Sequence, residues 1–109
     1  LSEDGDIYEI LSFLKDIPEN KIVFTGHVKE KIKDREIPYD LIVNSILNET
    51  PLAISKQDFS KFKVKYPFKY DKSRYDLVII ILVEPVTKTL KVITTYKENV
   101  KKRVREDGS

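Results

Sequence analysis

The chain has 109 residues, 40% hydrophobic and 35% charged, with 20 Lys and Arg against 18 Asp and Glu and a formal net charge of +2. A length near 100 residues calls for one domain with one core. With no cysteine and a single histidine, disulfides, thiol nucleophiles and the common cysteine- or histidine-rich zinc sites are excluded, and neither a metal nor a cofactor is expected.

Ile7, Ile10, Leu11, Leu14 and Ile17 follow the spacing of one helix face. Asp6 stands where an N-cap belongs, with Glu9 three residues on, and Pro18 stops the helix. Residues 1–20 form an acidic segment, six acids against Lys15. Ile22 to Phe24 reads as a short strand. Thr25 can cap a second helix running to about Arg35, with Val28 and Ile32 inward, and Ile37-Pro38 breaks it. A third helix spans about Pro38 to Asn48, carries Leu41, Ile42, Ile46 and Leu47 to the core, and stops at Thr50-Pro51.

From residue 52 the period changes to two. Leu52 to Ile54 is a short strand. Residues 61–70 alternate, with Phe62, Val64, Tyr66, Phe68 and Tyr70 on one face and lysines on the other. That pattern predicts a half-buried antiparallel strand with a wet basic face, and Pro67 marks an edge or bulge. Residues 71–74 form a turn. Leu77 to Val83 is continuously apolar, as a central strand covered on both faces would be. After a turn at 84–88, Leu90 to Tyr96 is the last strand. The expected architecture is α+β: two to three N-terminal helices packed on one face of an antiparallel sheet of three to five strands. An acidic helix at 1–20, a core at 21–98 and a charged tail at 99–109 make up the chain; the tail carries Lys101, Lys102, Arg103 and Arg105 against Glu106 and Asp107.

No apolar run reaches about 18 residues, so no membrane contact is expected. The acidic start is unlike a signal peptide, and a cytoplasmic location is expected. A chain that starts at Leu1 and lacks methionine reads as processed or excerpted.

Two groups of residues could carry chemistry. His27, Lys31 and Arg35 are spaced i, i+4, i+8 and share one helix face. A neutral imidazole in the first turn beside two cations suits a general base next to a phosphate. Alternatively, His27 merely caps or packs at the helix start with Lys31 and Arg35 solvated. Tyr96 could add a hydroxyl, or be a buried core tyrosine. The second group is Lys61, Lys63, Lys65 and Lys69, with Arg74 in the following turn. They could track a phosphate backbone, or guard an edge strand against aggregation. The interleaved aromatics face the other way, so backbone contact is favoured over base readout.

The residues Phe24-Thr25-Gly26-His27-Val28, Arg35-Glu36-Ile37, Leu41-Ile42 and Thr94-Thr95-Tyr96 resemble a family of small RelE-like domains near the BrnT and RelE toxins. Its pattern is a short strand, a Ser/Thr-x-His-Ala-like helix start, an Arg-Gly-Ile-Ser-like break eight residues after the histidine, a third helix and a sheet with a late Thr-x-Tyr-like strand. The likeness covers about residues 22–98. Glu36 stands where the pattern has a glycine, so the helix needs another stop, and Pro38 stands where it has a serine. The resemblance implies a RelE-like fold and a toxin-like, metal-independent endoribonuclease, with His27 and Arg35, joined by Lys31 and Tyr96, at the scissile phosphate. RNA and a cognate antitoxin would then be its partners. The alternative is a non-catalytic module of the same fold that binds nucleic acid or protein.

Overall fold

The computed structural model describes residues 3–103. Three helices precede most of the sheet: α1 (Glu3–Asp16), α2 (Gly26–Asp34) and α3 (Tyr39–Asn48). Five strands follow the order β1-β5-β4-β3-β2, where β1 is Ile22–Phe24, β2 Ala53–Lys56, β3 Lys61–Pro67, β4 Tyr75–Glu84 and β5 Thr89–Asn99. The architecture is α+β. The sheet is mixed, not purely antiparallel as expected, because β1 pairs parallel to β5, Ile22 opposite Leu90. Two helices separate β1 from β2, so the chain enters the β2–β5 meander reversed. Four antiparallel strands later, β5 runs alongside β1 in the same direction.

α1 starts at Glu3, so Asp6 lies inside the helix and not at its cap. Its inward stripe of Ile10 and Leu14, with Ile17 just beyond, joins the same core as the sheet. At α2 the Thr25 hydroxyl accepts the Val28 N–H at 3.2 Å, which satisfies one of the free donors at the helix start. The helix stops without a glycine. Glu36 itself adopts the left-handed conformation, φ 55°. The Ile37 N–H donates to the Ile32 carbonyl at 3.0 Å, and the Glu36 N–H to the Lys33 carbonyl at 3.3 Å. These two bonds make a Schellman stop, and the accompanying apolar contact is supplied by buried Ile32 and Ile37. Pro38 caps α3 from outside, its carbonyl accepting the Leu41 N–H at 3.1 Å.

β4 is the central strand, and Leu77 to Ile81 are all buried. Register assigns the two faces. Phe62, Val64 and Tyr66 lie opposite Ile81, Ile79 and Leu77 and pack under the helices. Lys61, Lys63 and Lys65 lie opposite Leu82, Ile80 and Val78 on the other, helix-free face, the one turned away from α1, α2 and α3. Tyr70, beyond the end of β3, is 67% exposed and leaves the alternation of its strand.

One irregularity redirects β5. Ile80 pairs with Thr94, yet Ile81 pairs with Val92, so Ile93 is an extra residue opposite this step. A bulge of this kind shifts every later side chain to the other face. Leu90 and Val92 point to the core, and beyond the bulge Thr95 does so in place of Thr94. Thr94, Tyr96 and Glu98 are thereby turned to the helix-free face.

Candidate nucleic-acid interface

The helix-free face has an apolar middle, Val78, Ile80 and Leu82 of β4, and two buried carboxylates toward one end. Asp76 on β4 and Glu98 on β5 are register partners, 0% and 6% exposed. Like charges directly opposite each other destabilise a sheet, and each of these acids has its own cation. Asp76 takes a two-pronged contact from Arg103, whose Nε lies 2.7 Å from Oδ2 and whose second nitrogen meets Oδ1. This hydrogen bonding, chiefly, raises the Arg103 pKa. Glu98 is met by Lys65 Nζ at 2.8 Å and Lys63 Nζ at 3.8 Å.

This network corrects the picture of a wet lysine strand. Lys65 is 4% exposed and bound to Glu98. Its partner could not be foreseen, because Glu98 falls past the expected end of β5 at Tyr96. Lys63 is half-buried and shares that acid, and Lys61 is half-buried at the start of β3. Lys69 is exposed but lies beyond Pro67, in the turn that leads to β4. Arg74 in the same turn pairs with Asp71 at 2.6 Å and lies over the Tyr75 ring at 5.3 Å. That hydrogen bond holds the Asp71 carboxyl below its usual range. The five cations thus do not form one uniform stripe. On the face itself, Lys63 and Lys65 of β3 and Arg103 meet the two acids, whereas Lys61 of β3 and Lys91 of β5, both level with Leu82, stand at the other end. Tyr96 and Thr94, both half-buried, lie on β5 across from Val78 and Ile80.

The His27 group is arranged differently. His27 is exposed in the first turn of α2, and Lys31 and Arg35 are half-buried. Arg35 sits at the C-cap and reaches β5, where Nη1 donates to the Thr95 carbonyl at 2.7 Å and to Thr94 Oγ1 at 3.4 Å. β1 flanks β5 only at Leu90 to Val92, so the guanidinium closes the flank of β5 where β1 has ended. Arg35 is thus a tether between α2 and the sheet. His27 belongs to the helix layer, whereas Tyr96 and the β3 lysines belong to the opposite face of the sheet. Sequence reasoning missed Asp76, Glu98, Arg103 and Lys91. Asp76 alone had a signal, as an acid immediately before the central apolar run.

No described helix is long and apolar enough to cross a membrane. Among the described residues no group of three or more His, Cys, Asp or Glu is gathered to hold a metal ion. Of the tail charges, Arg105, Glu106 and Asp107 lie outside the described residues.

Residues 8–81 match the model of the MJ0788 family. The match takes in more than half of the chain, which therefore belongs to the MJ0788 family. The matched span runs from α1 into β4 and includes His27, Lys31, Arg35 and the β3 lysines, whereas β5 with Lys91, Tyr96 and Glu98 lies beyond it. No curated protein and no solved structure matches the chain.

Proposed function

We propose that this protein is a non-catalytic RNA-binding module that takes a single strand across its helix-free sheet face. The carrying observation is the bulge at Ile93, which brings Tyr96 to the same face as Lys61, Lys63 and Lys91. Single strands are held by aromatic rings that stack on bases and cations that follow the backbone. An aromatic on the lysine face adds base stacking to the backbone contact expected from the lysines. Thr94 offers a hydroxyl beside it. The reading calls for a cytoplasmic setting and needs neither a cofactor nor an antitoxin.

A short labelled RNA of mixed sequence, followed by fluorescence anisotropy, tests it. Affinity should fall steeply with salt, with a slope of about 0.7 per neutralised phosphate. Tyr96→Ala should weaken binding about 5- to 150-fold, since one stacked base is worth about 1–3 kcal/mol. Lys61→Ala and Lys91→Ala should each shallow the salt slope. Absence of binding at low salt, or a Tyr96→Ala variant that binds like the parent, would refute the reading.

The endoribonuclease reading draws on the RelE-like resemblance and on one feature of the site, the exposed imidazole at the α2 start with Lys31 and Arg35 on the same helix. It requires Arg35 to give up β5 for a phosphate. Incubation of the same RNA with metal chelated separates the two: an intact strand favours binding, and cleavage abolished by His27→Ala favours the nuclease.

A further inference from the structure

The end of the sheet far from the Asp76–Arg103 pair has a different character. There the β2–β3 turn and the β4–β5 turn lie side by side, joined by the Val83 N–H donating to the Ser60 carbonyl at 2.9 Å. α1 passes over this end and leaves two adjoining cavities of about 330 Å³ and 230 Å³, which share Glu9, Phe13 and Pro85. At this end Phe59 lines the larger cavity, and Val86 follows the lining Pro85 in sequence; neither is used by the core. Phe59 at one turn is 88% exposed and Val86 at the other 98%. Apolar exposure at the mouth of a groove marks an interaction surface.

The charges around it identify the partner. On the α1 side the rim is acidic, with Glu9 and Asp16 two turns apart and therefore on one helix face. On the turn side the charged lining residues are basic, Lys56 and Lys88, with Asp58 and Glu84 of the same turns outside the lining. A patch with an apolar centre, one acidic edge and one basic edge is complementary to itself after a two-fold rotation, the requirement for an isologous dimer. We infer that the protein pairs with a second copy of itself through this end. The acidic edge of each protomer faces the basic edge of its partner, and the exposed Phe59 and Val86 are covered between them. The helix-free face takes no part, so the pairing is independent of RNA binding.

Sedimentation equilibrium over a concentration series, without RNA, tests it. The parent chain should pass from 12.8 kDa to twice that mass as concentration rises. Phe59→Asp replaces an exposed side chain, so it should fold like the parent but weaken self-association about tenfold or more, as loss of a central aromatic anchor does. One double variant, Glu9→Lys with Asp16→Lys, and another, Lys56→Glu with Lys88→Glu, should each be monomeric, because like charges then meet across both edges. Mixed in equal amounts they should dimerise, since both edges are complementary again in the mixed pair. A Phe59→Asp variant that dimerises like the parent overturns the inference, as does a parent chain that stays monomeric throughout. So does a mixture of well-folded charge variants that does not dimerise.

Discussion

Replacing Tyr66 by phenylalanine should make this protein more stable. The Tyr66 ring lies wholly buried on β3 beneath the helices, and its hydroxyl hydrogen-bonds to no described residue. Two further buried oxygens without a described partner lie on α3 and its cap, Ser45 Oγ and Glu49 Oε2. A buried polar group without a partner costs about 1–3 kcal/mol, and Tyr66→Phe removes that group while keeping the ring. Urea unfolding near neutral pH should show a gain of about 1–2 kcal/mol, a rise in Tm of roughly 4–8 °C for each kcal/mol. The pH dependence gives a second readout. Burial, and then the nearby Glu49 carboxylate, raise the Tyr66 pKa in the folded state. A raised folded pKa means that the stability is fully present below the unfolded pKa and is lost as pH rises above it. The unfolded tyrosine titrates near pH 10, so above about pH 10 the parent should lose about 1.4 kcal/mol per pH unit from this group. Tyr66→Phe should lack that part of the alkaline slope. A variant less stable than the parent at neutral pH would refute the reasoning, because it would mean that the hydroxyl is satisfied.

Glu36→Gly should stabilise the fold by about 0.5–1 kcal/mol in the same urea assay, because glycine takes the left-handed α2 stop without the penalty that glutamate bears, less the entropy it gains when unfolded. Arg103→Ala should cost about 1.5–3 kcal/mol by leaving the Asp76 carboxylate without its charged hydrogen bonds. Part of that loss should return in the double variant with Asp76→Asn, and a double variant no better than the single one would count against the pairing.

How far the sequence reveals this molecule depends on how local the cause is. The apolar run at 77–83 declares a central strand because burial on both faces leaves no polar position to break it. Thr25 is legible as a cap because capping is settled within three residues. The parallel seat of β1 is not legible, since it depends on a strand nearly 70 residues away in register. Nor is the bulge. Leu90, Val92, Thr94 and Tyr96 alternate without a break, and simple alternation would put all four on one face. The extra residue at Ile93 is fixed by how β5 must meet β4, where Ile79 claims Thr95 and Ile81 claims Val92. Lys65 was expected in water for the same reason: its ion partner is set by cross-strand register, which no single segment reports.

The parallel seat of β1 also imposes an order on folding. The four strands of the meander are neighbours in sequence and can zip as consecutive hairpins, each closing a short loop. β1 cannot. Its only strand partner among the described residues is β5, the last of these five strands to emerge from the ribosome, and the Arg35 tether spans 60 residues to the same strand. Until β5 exists, β1 and α2 have no edge to settle on, and nascent chains that end in β4 hold them in waiting. Closing that long loop is the entropically slow event, so the first strand of the sheet in chain order is among the last to find its place.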